Sequence, residues 1–279
     1  MSIRIITDST ADMPDVDVAK VTVVPMTIMF DDGEYIDGVT ISKNEFYQKL
    51  ETAAHLPKTS QVIPAQFEAV FDEVTAAGDE AIVLTLPASL SGTYQSACIA
   101  AADRDNIRVI DGGNTAMGLG VMVKYAIRCV EEGMSLEEAE KAIREKREKC
   151  VLVALLGTLE YLQKGGRVSK SVAFAGTLLN IKPVIALKRG ELSMLGKARG
   201  SKKGNNYLIE QVKAHGIDYD MPILLGYTGC SDELLSQYME DNHELWEGKI
   251  PAPERAQAGS TIGTHIGPGA IAVAFFEQD

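Results

Sequence analysis

Apolar runs alternate with polar turns and with helical periodicity through the first half of the chain. Residues 3–6, 81–86 and 107–111 are short apolar runs that end at polar turns, and segments with apolar residues at helical spacing follow the last two. Strands that alternate with helices at this spacing are joined by right-handed crossovers, which produce a mainly parallel sheet. The pattern therefore predicts an N-terminal α/β domain with helices flanking the sheet.

Local signals place two helix starts and one hairpin in this half. Ser42 and Ser135 each precede a glutamate by three residues, which is the capping-box signature of a helix N-terminus. The Asp32-Gly33 pair predicts a tight turn between a strand at 21–30 and a shorter strand at 34–36. A hairpin followed by a helix is therefore the expected local unit.

Beyond Cys150 the pattern of apolar and polar positions changes, so we place a domain boundary there. The predicted elements are strands at 150–156, 181–187, 223–227 and 270–276, a return strand after a turn at Arg189-Gly190, and helices at 158–163, through Phe174 and Leu178, and from Asp232. These elements predict an α+β domain with a mixed or antiparallel sheet. The expected division is 1–150 for the N-terminal α/β domain and 151–279 for the C-terminal α+β domain.

Hydroxyl-rich turns follow three of the predicted strands, at residues 7–10, 89–93 and 114–115, and residues 58–61 are interpreted as another hydroxyl-bearing loop. Ligands of parallel sheets lie beyond the carboxyl ends of the strands, so the three turns are expected to share one rim. The turn around Ser91 also opens a helix, whose free N–H groups and dipole favour an anion. The alternative is that Ser91 is an ordinary helix cap.

Composition narrows the classes of partner. The chain has 279 residues, 46% of them hydrophobic, and a net charge of -12, which argues against nucleic acid or an anionic membrane as the main partner. No apolar run approaches the roughly 18 residues of a membrane span, so a cytoplasmic protein without membrane insertion is expected. The four cysteines and four histidines are scattered, and no metal-ligand spacing is present.

Several motifs occur together in a fixed order along nearly the whole chain. They are TDSTAD (7–12), KTSQ (58–61), LSGTYQSA (90–97), LEYLQKGGR (159–167), NIKP (180–183), KARG (197–200) and HIGPG (265–269). Together they resemble the DegV family. The family pattern usually has Ser-Ser where this chain has Pro87-Ala88, and a serine-rich segment where it has residues 111–118. These departures bear on tunnel shape and chain preference more than on carboxylate binding.

The resemblance implies a two-domain α/β protein that holds one long-chain fatty acid in a tunnel between its domains. Such proteins present the carboxylate to a separate kinase, which makes the acyl-phosphate, so the resemblance implies a carrier without catalysis and without a metal or cofactor. Five side chains and one backbone group are implied at the head-group end. They are the hydroxyls of Thr59 and Ser91, the N–H of Gly92, and the side chains of His265, Arg199 and Arg167.

Each of these residues also has a simpler interpretation. Thr59 suits a turn, His265 suits a structural position, and Arg167 suits a hinge between domains. Arg199 lies in a basic segment that is equally consistent with a solvated loop or a docking surface. Hydroxyl and N–H donors suit a carboxylate that must stay reactive, since a tight Arg pair would shield its oxygens, and a histidine can gain or lose charge near neutral pH.

Three other functions compete with the carrier hypothesis. A serine hydrolase would use Ser91 with His265, but Ser89 occupies the position where the G-x-S-x-G elbow needs its first glycine. A nucleotide site is disfavoured because neither G-x-x-x-x-G-K-[ST] nor a suitably placed G-x-G-x-x-G is present. A sensor that reports lipid occupancy would share every feature of a carrier.

Overall fold

The computed structural model of the chain describes residues 2–167 and 181–278. The predicted helix through Phe174 and Leu178, and Asn180 of the NIKP motif, lie outside the described residues. The described strands are β1 (Ile3–Asp8), β2 (Thr22–Val24), β3 (Thr27–Phe30), β4 (Gly33–Ile36), β5 (Lys58–Ser60), β6 (Glu80–Thr85), β7 (Ile107–Asp111), β8 (Cys150–Leu155), β9 (Ile181–Lys188), β10 (Glu191–Arg199), β11 (Leu224–Tyr227), β12 (Glu254–Gln257) and β13 (Ile271–Phe276).

Helices connect most of these strands. They are α1 (Asp15–Val18), α2 (Lys43–Thr52), α3 (Pro64–Ala76), α4 (Thr93–Ala100), α5 (Met117–Glu131), α6 (Leu136–Arg147), α7 (Glu160–Lys164), α8 (Ser201–His215), α9 (Glu233–Asp241) and α10 (Ser260–Ile266), with a 3-10 turn at His243–Leu245. Both predicted capping boxes are present, with Ser42 before α2 and Ser135 before α6. Each serine accepts from the glutamate N–H and bonds to the glutamate carboxylate.

The first sheet has the order β2-β1-β6-β7, and all its strands are parallel, as predicted. One face packs on α3 and α4 through a core that includes Phe67, Phe71 and Val83. The other face packs on α5, and α6 covers the β6 and β7 side. The loops after β1 and β6 therefore emerge at one carboxyl edge of this sheet.

The second sheet is mixed, with the order β10-β9-β8-β13-β11-β12 and only the β11–β12 pair parallel among the described pairings. Successive residues of β8 are buried on opposite faces: Leu152 and Ala154 belong to the core shared with α5, whereas Val151 and Val153 belong to the core shared with α8. Helix α5 contacts β1 and β6 of the first sheet and β8, β11 and β13 of the second. It is thus enclosed between the two sheets.

A third, small sheet has the order β4-β3-β5 and packs on α2. The predicted hairpin is present, but Phe30 pairs with Gly33, so its two-residue loop is Asp31-Asp32, one residue earlier than predicted. Residues 58–61 are not simply a loop, because β5 pairs with β3 and places Thr59 opposite Ile28. A short strand of this kind is stabilised by its neighbour in the sheet, which the local sequence does not reveal.

The predicted strand at 21–30 is two strands in two different sheets. Pro25 has no N–H to contribute to a ladder and separates β2 from β3. Helices α8 and α10 and strand β12 were not predicted from the sequence. Arg199 ends β10, and the basic residues that follow it begin α8, so the predicted basic loop is a strand end and a helix start.

The α/β fold with an N-terminal parallel sheet and a C-terminal mixed sheet agrees with the sequence analysis. Strand β8 begins the second large sheet at Cys150, next to the predicted boundary. The division into domains 1–150 and 151–279 remains a prediction, since α5 packs on both sheets. Among the described helices, none combines the length and the apolar character that crossing a membrane requires.

Candidate functional site

A cavity of about 260 Å³ lies between the carboxyl edge of the parallel sheet and the second sheet. Its lining comes from both halves of the chain and is mostly apolar. Apolar side chains on its walls include Met26, Leu86, Leu90, Met117, Leu152, Leu156, Leu162, Ile185, Leu187, Leu192 and Ile262. The polar groups at its surface include Thr10, Thr59, Ser91, Thr115, Arg167 and His265. The turns after β1, β6 and β7 therefore do share one rim, as the sequence predicted.

Small residues form part of the cavity wall on the second sheet. Ile185 pairs with Ala154, Ala154 with Ala272, and Ala272 with Gly226, so one row crosses β9, β8, β13 and β11. Directly paired residues point to the same face of a sheet, and strands are spaced by roughly 4.8 Å, so this row extends over about 14 Å. Side chains shrink along it from isoleucine to alanine to glycine. We name it the small-residue row. The Met117 side chain packs against its Gly226 end, and the short side chains of Ala154 and Ala272 line the cavity.

Thr59 and His265 meet at the polar part of the cavity although 206 positions separate them in the sequence. Oγ1 of Thr59, on β5, lies 2.9 Å from Nε2 of His265, on α10. Nδ1 of His265 is buried without a partner among the described residues. A proton on Nδ1 would thus be unsatisfied, so we assign the proton to Nε2, where it donates to Thr59. The Thr59 hydroxyl hydrogen then remains free for another acceptor.

The Ser91 hydroxyl has a similar arrangement at the N-terminus of α4. Its Oγ accepts from the N–H of Thr93 at 3.3 Å and lies 3.0 Å from Thr93 Oγ1, which itself accepts from the Val62 N–H. Either hydroxyl can donate in this contact, and when Thr93 donates, the Ser91 hydroxyl hydrogen is available for a ligand. The backbone N–H of Gly92 likewise has no acceptor among residues 2–167 and 181–278.

Contacts between β5 and α4 bring Thr59 and Ser91 to the same cavity. The Val62 N–H donates to Thr93, and Nε2 of Gln61 donates to Ser96 at 3.1 Å, so the segment after β5 is fixed to the first turns of α4. Gln61 passes so close to Gly92 that a Cβ at position 92 would collide with its side-chain amide. A larger residue at position 92 would thus displace the Gln61 amide from its hydrogen bond with Ser96.

Burial, and secondarily the charge of Arg167, lowers the pKa of His265 to about 4. The imidazole is thus neutral near pH 7, which corrects the expectation that it gains or loses charge there. Gly165 lies against Nδ1 of this ring, and a Cβ at position 165 would collide with it. The Gly-Gly turn after α7 therefore makes room for the histidine.

The two predicted arginines differ in position. Arg167 is exposed, donates to the Gly165 carbonyl at 2.7 Å and lines the cavity. Arg199 is exposed at the end of β10, opposite Ile181, and is not among the described residues that line the cavity. Thr59, Ser91, Gly92, His265 and Arg167 are thus brought together, whereas Arg199 is not; its predicted role remains a prediction.

The N-terminus of α10 is held by two buried carboxylates that the sequence analysis did not assign to the site. Asp12 accepts from the Gly259 N–H at 2.7 Å, and Asp37 accepts from Ser260 and Thr261. Asp12 belongs to the TDSTAD motif, and this membership was the one sequence signal that could have assigned it to the site. The Asp37 partners lie more than 220 positions away and left no local signal.

Asp12 is expected to make stability depend on pH. Its side chain is 2% exposed, and burial raises its pKa to about 7, against the partly compensating charge of Lys43. The unfolded carboxyl ionises near pH 4, so this group's stabilising contribution is full below pH 4 and is lost as the pH rises to about 7, by on the order of 4 kcal/mol. Urea unfolding at pH 5 and pH 8 measures about 3 kcal/mol of this change.

The Asp12→Asn variant removes the titration, so its free energy of unfolding should fall less between pH 5 and pH 8 than that of the native chain. Asp32→Asn is the control, because Asp32 is exposed and its hydrogen bond with Lys49 lowers its pKa. A native chain and Asp12→Asn variant with the same pH dependence would contradict this assignment.

The geometry does not provide the pairing that a serine hydrolase needs. The Ser91 hydroxyl contacts Thr93, and the histidine contacts Thr59, so the described hydrogen bonds do not join Ser91 to His265. Within residues 2–167 and 181–278 there is also no group of three or more His, Cys, Asp or Glu side chains arranged to hold a metal ion.

Comparison with known proteins agrees with the fold and the motif order. A family model described as DegV matches residues 2–278. The chain belongs to the DegV family. It is 38% identical over 282 residues to a DegV domain-containing protein of Caldanaerobacter subterraneus subsp. tengcongensis, covering 99% of each protein. The resemblance seen in the sequence is thus confirmed.

Solved DegV structures have the same fold over their whole length. A fatty-acid-binding DegV protein from Thermus thermophilus is 32% identical, with a TM-score of 0.87 and full coverage of both chains. A fatty-acid-binding DegV protein from Streptococcus agalactiae is 28% identical, with a TM-score of 0.88 and full coverage. A stearic-acid-binding protein from Eubacterium ventriosum is 27% identical, with a TM-score of 0.85 and coverage of 99% and 98%.

Proposed function

We propose that this DegV chain binds one long-chain fatty acid in the cavity and presents its carboxylate to a separate kinase for acyl-phosphate formation. The observation that carries the proposal is the Thr59–His265 contact beside Ser91 at the polar part of an otherwise apolar cavity. Both hydroxyls can direct a hydrogen at a ligand when His265 and Thr93 donate to them, and a carboxylate has two oxygens to receive these hydrogens. The structural relatives bind the same class of ligand.

Two different interactions contribute to this binding. Each methylene buried along the small-residue row contributes ~0.8 kcal/mol, so the tail supplies most of the affinity. The head group must keep its hydrogen bonds, because an unpaired buried carboxylate is very costly. Thr59, Ser91 and the Gly92 N–H supply them, and the neutral His265 orients the Thr59 hydroxyl through Nε2.

The proposed role is that of a carrier, with the chemical step performed by the partner. Neutral hydroxyl donors hold a carboxylate without enclosing it, so one oxygen remains able to attack a phosphoryl donor. Arg167 lines the cavity and is exposed, which suits it to the phosphate that the acid acquires. The protein contributes position and desolvation, and it contributes no nucleophile of its own.

Purified protein tests the ligand assignment directly. We expect organic extraction of the denatured protein, followed by mass spectrometry, to yield long-chain fatty acid at close to one molecule per chain. Protein that contains no fatty acid, and does not bind octadecanoic acid added to it, would contradict the proposal. The control is an extract of an unrelated protein purified by the same route, which shows how much lipid is carried over nonspecifically.

A further inference from the structure

Two carboxylates from the N-terminal half hold the first turn of the helix that carries His265. We propose that Asp37 is a positioning residue for the carboxylate site: it sets the position of α10, and thereby the Thr59–His265 contact. The inference rests on the proposed function, because it assigns a residue to the binding of the acid head group. Asp37 itself is not among the described residues that line the cavity.

Asp37 makes three hydrogen bonds to α10. Oδ1 accepts from the Ser260 N–H at 3.0 Å, and Oδ2 accepts from the Thr261 N–H at 3.0 Å and from Thr261 Oγ1 at 2.7 Å. Asp12 accepts from the Gly259 N–H, so three consecutive backbone donors at this helix end are bound by carboxylates. Asp37 is 5% exposed, so water competes little for these bonds.

Because α10 is short, the hydrogen bonds at its N-terminus also fix the position of His265 near its C-terminus. The helix has seven residues, and Thr261 precedes His265 by four, so the two lie on one face about 6 Å apart along the axis. The helix is also seated closely on α2, where a Cβ at Gly263 would collide with Phe46. A shift at the N-terminus of so short a helix would be transmitted to its last turn and would displace the imidazole from Thr59.

These contacts need both oxygens of Asp37 as acceptors. Three donors converge on its two oxygens, and an ionised carboxylate accepts all of them. An asparagine has one acceptor oxygen, and its NH₂ group would face a backbone N–H. Asp37→Asn therefore loosens α10 while it preserves the size of the side chain, which makes it the informative substitution.

The test compares octadecanoic acid with octadecan-1-ol, which has the same tail and a neutral head. We expect Asp37→Asn to reduce the preference for the acid over the alcohol at least 10-fold, measured as the ratio of the two Kd values by calorimetric titration. Asp32→Asn is the matched control, because it removes an exposed carboxylate near the hairpin of the same small sheet and should leave the ratio unchanged. A residue that only stabilises the fold would weaken both ligands equally, which would overturn the inference.

A second measurement covers the case in which Asp37→Asn does not fold. Because coupling between sites is reciprocal, the acid should also strengthen the attachment of α10 in the native chain. We expect octadecanoic acid to slow amide hydrogen exchange at Ser260 and Thr261 more than octadecan-1-ol does. Equal protection by both ligands would overturn the inference but leave the proposed function intact, whereas a native chain that does not bind the acid would overturn both.

Discussion

Replacing Ala272 with leucine is expected to weaken the binding of long-chain fatty acids about 100-fold. Ala272 lies in the middle of the small-residue row, between Ala154 and Gly226, and it lines the cavity. A leucine there occupies space that three or four methylenes would fill. At ~0.8 kcal/mol for each methylene, excluding that part of the tail costs about 3 kcal/mol, which is roughly a 100-fold loss.

Chain-length dependence distinguishes a blocked channel from a damaged protein. In the native chain, affinity should rise steadily from decanoic to octadecanoic acid; in Ala272→Leu it should stop rising partway along the series. Ala76→Leu is the control, because it adds the same volume at an exposed position on α3. If Ala272→Leu keeps the native length dependence and affinity, the tail does not lie along the small-residue row.

Removing either cavity hydroxyl should have the second large effect, on the head group. Hydrogen bonds to charged groups contribute about 1.5–3 kcal/mol, so Ser91→Ala and Thr59→Val are each expected to weaken octadecanoic acid binding by about 10- to 100-fold. The corresponding alcohol should be affected much less, because its hydroxyl carries no charge. Competition with a fluorescent fatty acid measures both Kd values.

Ser89→Ala is the control for these variants, because Ser89 is in the same loop but donates its hydroxyl to the Gly190 carbonyl at 2.6 Å. Acyl-phosphate formation gives a second readout, with ATP and a cell fraction containing the kinase, and with hydroxylamine to trap the product as a hydroxamate. We expect Ser91→Ala and Thr59→Val to lose this product, and Ser89→Ala to retain it. Native product levels in both cavity variants would remove these hydroxyls from the site.

The local signals in the sequence predicted local structure well. Serine followed by glutamate three residues later identified the starts of α2 and α6, because a capping box is completed within four residues. Short apolar runs followed by helical periodicity predicted the parallel sheet, and the ordered motifs identified the family. The turns after β1, β6 and β7 were expected at one rim, because parallel strands end at the same edge.

Local sequence signals did not predict those elements that are stabilised by residues distant in the sequence. Lys58–Ser60 is a strand because it pairs with β3. The predicted strand at 21–30 is split into β2 and β3, which belong to different sheets, because Pro25 cannot donate a backbone hydrogen bond. Helix α10 was not identified because its first turn is stabilised by Asp12 and Asp37 instead of by a cap of its own. In each case the deciding interaction is absent from the local window.

The sequence by itself determined the fold class, the family and the hydroxyl-bearing segments of the cavity, since these depend on periodicity and on short motifs. Only the tertiary structure decided that Thr59 contacts His265 while Ser91 contacts Thr93. It also decided that Ala154, Ala272 and Gly226 form one row, because strand register is set by packing of the whole sheet. Hydrogen bonds between residues more than 200 positions apart form only when packing of the whole chain brings their partners together, and no local pattern encodes them.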